Sequence, residues 1–296
     1  MTRYPMRLIP VPRSMIWGGD RLKTKFNKPF GIDSVGESWE LTVRPEAQSV
    51  IANGIYSGNR LCDILDTGDS FPLLIKFIDA HDDLSVQVHP DDNVTDGNGT
   101  PLGKTEMWYI LDAEKGAKLY YGFKKNITKS EFEDHIKSGT LETILNAVTV
   151  NKGDCFFIPS GTIHAIGGGI LIAEIQQNSN ITYRVYDYNR KDKNGNTRPL
   201  HIEKAIDVTN LTPPPVNTSS DGETLASCKY FNVKKRVVNN SLKSFTDENS
   251  FLSVLCIEGE VEFLDIRLSK GECAFVPSNM GEFEIKGNGT IIESRV

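Results

Sequence analysis

The sequence predicts a mainly β protein in which one β module occurs twice, with a few short helices inserted in the N-terminal part. The first observation behind this is a succession of short apolar runs rich in β-branched and aromatic residues, separated by glycine, proline and aspartate, whose lengths suit strands better than helices. The second is an internal repeat. The segment KGDCFFIPS at 152–160 returns as KGECAFVPS at 270–278, 118 residues further on. Hydrophobic residues at 39% and charged residues at 24% are ordinary for a globular chain of 296 residues, long enough to bury a substantial core.

In chain order, the predicted strands are WELTV from 39, FPLLIKFIDA from 71, the short run SVQVH from 85, EMWYILDA from 106 and AKLYYGF from 117. TKSEFEDHIKSG follows and predicts a helix, because Thr128 and Glu131 have the spacing of a capping box. LETILNAV is read as a second helix directly after it, and LHIEKAIDV near 200 as a third. Between them, CFFIP from 155, GILIAEIQ from 169 and ITYRVYDY from 181 read as strands. NLTPPPVNTSSDGE at 210–223 holds three consecutive prolines, cannot be a central strand and predicts a linker. The boundary gives a catalytic unit over 1–212 and a smaller unit over 220–296.

A net charge of −6 argues against a general nucleic-acid binder, whose footprint is a basic surface. The N-terminal residues lack an uninterrupted apolar core for a signal peptide, and no later run approaches a membrane span, so the expectation is a cytoplasmic protein without membrane association. The five cysteines are scattered, form no Cys-x-x-Cys pair and read as reduced core residues.

Chemistry concentrates in three places. In SVQVHPDD, strand alternation puts Ser85, Gln87 and His89 on one face and Val86 and Val88 on the other. In GKTEMWYI, Lys104, Glu106 and Trp108 share a face by the same rule. The first copy of the repeat continues as GDCFFIPSGTIH from Gly153, matching the second motif of the cupins, and aims His164 inward from the turn Pro159–Gly161. Two imidazoles, a carboxylate and an amide form a donor set suited to Zn²⁺. The second copy answers Gly161, Thr162, Ile163 and His164 with Asn279, Met280, Gly281 and Glu282. Carrying the same offset back opposes EMWYILD to roughly LSVLCIE, with leucine where the first copy has Glu106. One metal per chain is therefore expected. His81, His135 and His201 read as isolated histidines, and Lys76 has no assigned role, with buried pairing and exit to solvent both open.

SVQVHPDD, GKTEMWYI, IPSGTIHAI and TYRVYDYNR, with WGG and GESWEL upstream, resemble the type I mannose-6-phosphate isomerases in their short bacterial form. The resemblance spans nearly the whole chain. It implies two cupin (jelly-roll) barrels and a zinc-dependent aldose–ketose isomerase interconverting mannose 6-phosphate and fructose 6-phosphate through an enediol. It places metal ligands on Gln87, His89, Glu106 and His164, and the catalytic arginine on Arg184. Lys104 and Ser85 fall at family positions expected to orient substrate or phosphate. Gln87 stands where many cupins have histidine, and the chain lacks the helical insertion of the long members. Thr182 and Tyr186 are expected on the face of Arg184. The proton-transfer base is open between Glu174, a metal-bound water and Lys104. Arg184 as a structural partner of Glu174 is the competing role. The substrate is a small sugar phosphate, and the expected assembly a monomer or weak homodimer. Two rivals stand beside this reading: a cupin oxygenase using iron or manganese, and a sugar-sensing cupin that does not turn its ligand over.

Overall fold

The computed structural model describes residues 2–65, 70–215 and 222–296. The chain is mainly β, and every strand pairing is antiparallel. Three sheets carry the architecture. A six-stranded sheet runs in the order Cys155–Ile158, Glu106–Ala113, Ile170–Gln177, Leu73–Ala80, Glu37–Leu41, Val11–Arg13. A five-stranded sheet runs Leu145–Thr149, Lys118–Phe123, His164–Ile166, Val86–Val88, Tyr183–Tyr186. The third, eight-stranded, holds the long C-terminal strands Asn232–Thr246, Leu252–Phe263 and Gly281–Arg295.

Strand alternation explains the layering. Ile78, Trp108, Ile110, Ile170 and Ile172 of the six-stranded sheet pack against Leu119, Tyr121 and Ile166 of the five-stranded one. The opposite face, with Ile75, Phe77, Met107, Tyr109 and Ile175, packs on Leu255, Cys273, Phe275 and Ile292 of the C-terminal sheet. Strands buried on both faces read as continuous apolar runs, which is why Leu73–Ala80 is buried at all eight positions. The outer face of the five-stranded sheet is covered by the helices Lys129–Lys137 and Ile202–Val208 through Phe132 and Ala205. None of the sheet paths among the described residues closes on itself, so the fold is of stacked open sheets rather than closed barrels.

The repeat has a structural counterpart. Cys155–Ile158 and Cys273–Val276 are both strands, and the turns after them put Gly161 and Asn279 at positive φ, +82° and +61°. Ile158 pairs with Glu106 and Val276 with Leu252, so leucine does occupy the place that glutamate has in the first module. The 118-residue offset does not extend back to that strand, however. The first module has a longer connection that includes the helix Lys129–Lys137. That helix begins with the expected capping box: Thr128 Oγ1 accepts from the Glu131 N–H, and Glu131 accepts from the Thr128 N–H.

LETILNAV is not a helix. Only Leu141–Thr143 makes a 3₁₀ turn, and Leu145–Thr149 is an edge strand registered against Lys118–Phe123. Pairing with a free sheet edge overrides a weak local preference. The N-terminal strand Met6–Ile9 pairs with Cys273–Val276, so the first residues of the chain complete the C-terminal sheet. The buried Lys28 ammonium, bonded to Glu40 Oε2 at 2.8 Å and to the Gly271 carbonyl at 2.7 Å, ties the same two regions together. Of the proposed linker, 216–221 lie outside the described residues.

Candidate active site

Register brings the singled-out side chains together. Within the five-stranded sheet Gln87 lies opposite His164 on one side and Arg184 on the other. Val86 and Val88 point outward into the core beneath the helices, leaving Ser85 and Gln87 facing the six-stranded sheet. Glu106 begins its strand opposite Ile158, immediately before the PSGTIH turn. At that turn Gly161 is required twice over: its φ is positive, and a Cβ would meet the Asn210 amide nitrogen at 2.6 Å.

His89, Glu106 and His164 are buried, and their donor atoms lie within 4.8 Å of one another. His89 Nε2 is 3.5 Å from Glu106 Oε2, and His164 Nε2 is 3.4 Å from Glu106 Oε1. Each imidazole donates from Nδ1 to a backbone carbonyl, His89 to Ile181 at 2.7 Å and His164 to Thr162 at 2.9 Å. A carbonyl can only accept, so these bonds fix the tautomer and turn both Nε2 lone pairs inward. Glu106 Oε1 has no hydrogen-bond donor among the described residues. The Lys104 ammonium is 2.8 Å from Oε2 in an ion-pair contact, and 3.2 Å from His89 Nε2. Two inward lone pairs and a carboxylate whose Oε1 lacks a donor among the described residues, converging in a buried space, are the donor set of a divalent cation. Gln87 is beside them, its amide nitrogen 3.3 Å from His164 Nε2 and its oxygen accepting from Ser85 Oγ at 3.2 Å.

Electrostatics agree with this donor set. Burial, followed by the Lys104 charge and His164, holds the His89 pKa well below its ordinary value. Burial brings His164 down to about 4, with the Thr162 bond opposing. Both rings are neutral at pH 7, the form that ligates. Burial pushes Glu106 up to about 7 against the Lys104 charge, with Glu174 adding to the rise.

Beside this cluster opens a cavity of about 370 Å³ lined by Lys76, Lys104, Trp108, Glu174, Arg184 and Arg198, among others. Glu174 lies opposite Lys76 on one neighbouring strand and Trp108 on the other. Its Oε2 accepts from Trp108 Nε1 at 3.0 Å, and its Oε1 is 3.2 Å from the Lys76 ammonium. Burial raises the Glu174 pKa, but the charges of Lys76 and Lys104 with those contacts outweigh it, and the carboxylate is held below its usual range. Lys76 is therefore buried and paired, with Glu37 3.6 Å away on its other side and the Trp39 ring beneath it. Burial opposes its charge, yet Glu37, Glu174 and Glu106 together raise its pKa.

Arg184 donates from Nε to Ser85 Oγ at 3.2 Å and from NH1 to the Pro199 carbonyl at 2.9 Å. It makes no contact with Glu174, which removes the structural pairing considered for it. Tyr186 is not on its face. The pairing shifts register between Arg184 and Tyr186, and Tyr186 packs with the outer core, whereas Thr182 lines the cavity. His135 bonds Thr140 within its own helical segment and His81 is exposed, as isolated histidines do. His201 differs: it lines the cavity and its Nδ1 accepts from the Arg184 N–H at 3.2 Å. Among the charged and imidazole residues lining the cavity, sequence reasoning gave no site role to Glu37, Lys76, Arg198 and His201; of these, only the charge inside the apolar run LLIKFIDA was a signal.

Comparison with known proteins points the same way. Residues 6–117 match the family model for the phosphomannose isomerase type I catalytic domain, and residues 221–296 that for the mannose-6-phosphate isomerase cupin domain. The chain is 39% identical over 319 residues to mannose-6-phosphate isomerase ManA of Bacillus subtilis, covering all of both chains. It is 38% identical over 309 residues to mannose-6-phosphate isomerase of Streptococcus mutans, covering 98% of each. The crystal structure of a Bacillus subtilis mannose 6-phosphate isomerase superposes with a TM-score of 0.91 at 36% identity, over 99% of this chain and all of that one. At 16% identity the fold alone is shared with the Salmonella typhimurium enzyme bound to its substrate fructose 6-phosphate and zinc, with a TM-score of 0.75 over 98% of this chain and 99% of that one. At full length and this level of identity, the chain belongs to the type I mannose-6-phosphate isomerase family and is an aldose–ketose isomerase.

Proposed function

We propose that this isomerase works through an enediol and requires one Zn²⁺ per chain, held by His89, Glu106 and His164, with Gln87 completing the set through its oxygen once the side-chain amide, whose nitrogen faces His164 here, is turned over. The observation that carries the metal is the convergence of two inward Nε2 lone pairs on a buried carboxylate whose Oε1 has no hydrogen-bond donor among the described residues. Bound there, the cation supplies a Lewis acid that stabilises negative charge on the sugar oxygens. The neighbour that holds zinc and fructose 6-phosphate supports both the metal and the class of substrate.

Converting the aldose to the ketose moves one proton from C2 to C1 and another from the C2 hydroxyl to the C1 oxygen. Glu174 is the proposed carbon base. It lines the cavity, and Lys76 with Trp108 keeps it ionised and fixes its orientation. It takes the proton from C2 to leave the enediol, and returns it to C1. Lys104, pressed between Glu106 and His89, is placed to exchange the oxygen-borne proton. Arg184, whose guanidinium has no carboxylate partner among the described residues, is assigned the charge that develops on oxygen as the enediol forms, with Ser85 orienting both it and Gln87.

We also read the two β modules as cupins, catalytic over 1–212 and metal-free over 220–296, because Leu252 and Glu282 occupy the second module's equivalents of Glu106 and His164. Zinc titration of chelator-treated protein tests the metal assignment. One zinc per chain is expected, abolished by His89→Ala with His164→Ala. Two zincs per chain, or undiminished zinc in that double variant, would contradict it.

A further inference from the structure

We propose that the phosphate of the substrate is held by Arg198, with the Nε2–H of His201 beside it, and not by Lys104. This rests on the isomerase reading above and assigns the part of the cavity which that reading leaves without a partner.

Charge placement carries the argument. On the cavity floor the cations are matched: Lys104 sits 2.8 Å from Glu106, and Lys76 lies between Glu174 and Glu37. Lys104 is 5% exposed and committed to the metal cluster, so a phosphate could reach it only by displacing the reacting end of the sugar. The other side is different. Arg190 and Arg198 share a single buried carboxylate, Asp187, whose Oδ1 is 2.5 Å from both Arg190 NH2 and Arg198 NH2, and Arg184 lies within electrostatic reach of all three. Three guanidiniums against one carboxylate leave a surplus of two positive charges, the complement of a phosphate dianion. Arg184 registers the crowding: after burial, the Arg198 charge is the main cause of its lowered pKa.

The free donors are identifiable. Arg198 donates from Nε and NH2 to the two oxygens of Asp187, which holds the guanidinium plane rigid. Its NH1 has no partner among the described residues, and the residue lines the cavity. His201 accepts at Nδ1 from the Arg184 N–H, so its proton is on Nε2, also without a partner among the described residues. Arg184 stands between this pair and Gln87. A ligand with its carbonyl end at the metal cluster and its phosphate at Arg198 therefore lies along Arg184. The arginine is preorganised by Asp187 before substrate arrives, which limits the entropy lost on binding.

The test uses the full-length zinc-loaded protein with two variants, Arg198→Gln and Arg198→Lys. Three quantities are read: KM and kcat for mannose 6-phosphate, and the affinity for inorganic phosphate by calorimetry. Loss of a charge-assisted hydrogen bond predicts about a 10-fold to 100-fold rise in KM and an equal loss of phosphate affinity, with kcat and zinc content little changed. Arg198→Lys keeps the pair with Asp187 but commits its single ammonium to it, so it should fold and lose affinity by a similar factor. Wild-type phosphate affinity in either folded variant overturns the proposal, as does a fall in kcat at constant KM. A wild-type protein that binds phosphate through Arg198 yet does not isomerise mannose 6-phosphate would instead overturn the underlying reading.

Discussion

Replacing Lys76 with methionine removes the one positive charge among the described residues that touches Glu174. The ammonium lies 3.2 Å from Glu174 Oε1, which has no aligned hydrogen-bond donor, and 3.6 Å from Glu37 Oε2. At an effective dielectric constant near 20 a contact of that length is worth about 5 kcal/mol. Part of this is offset because a buried ammonium no longer has to be desolvated, and breaking a buried pair by deleting one partner typically costs about 3–5 kcal/mol. The cost depends on pH with a definite sign. In the wild type Glu174 is held below its ordinary pKa of 4.5, so its contribution is present above that value and is lost as pH falls through the folded pKa. In the variant burial acts with less opposition and raises the pKa, so destabilisation grows as pH rises above the unfolded value. Urea denaturation should show a stability gap of about 3–5 kcal/mol at about pH 8 that narrows markedly toward about pH 5. Because the Glu174 pKa then rises, kcat below the new pKa should fall with KM nearly constant, and the pH–rate profile should move to higher pH. A gap independent of pH, or an unchanged profile, would refute both the pairing and the role of Glu174 as base.

Other outcomes follow from the same geometry. Arg184→Ala should lower kcat on the order of 100-fold to 1,000-fold with zinc retained, and Arg184→Lys should recover only part; near-normal turnover would make the arginine structural. Lys104→Ala should reduce kcat while leaving inorganic phosphate affinity intact, and a selective loss of phosphate binding would place the phosphate on the cavity floor instead. In metal-free protein, His164 is neutral when folded down to about pH 4 but protonates near 6.5 when unfolded. The contribution of His164 to stability should therefore fall by about 3 kcal/mol as pH drops through that window, while Glu106, raised to about 7 in the fold, titrates in the opposite sense. The His164 part is read as the stability difference between wild type and His164→Gln, which should change with pH through the window; a difference independent of pH would assign the acid sensitivity elsewhere.

Much of this architecture was legible because strand periodicity is short and strict. Gln87 and His89, and Lys104 with Glu106, follow from two-residue alternation, and His164 from a turn whose glycine has a steric reason. The Thr128 capping box is local chemistry and needed no tertiary information. Failures came where partners are distant in sequence. LETILNAV has helix-compatible composition, and only the free edge of Lys118–Phe123 makes it a strand. Tyr186 was misplaced by a register shift beyond Arg184 that leaves no mark in the residue types. Lys76 could not be read without knowing that Glu174 and Glu37 lie on its neighbouring strands. Asp187, Arg198 and His201 meet through irregular chain, where no period guides the eye.

Metal-dependent isomerisation of a phosphorylated sugar can be followed in one coupled assay. Mannose 6-phosphate is supplied and fructose 6-phosphate is followed, first with the protein as purified, then after chelation, then after zinc is returned. Chelation should abolish turnover and stoichiometric zinc should restore it. Full turnover by protein shown to be free of metal, or none at any stage with zinc bound, would contradict metal-dependent isomerisation.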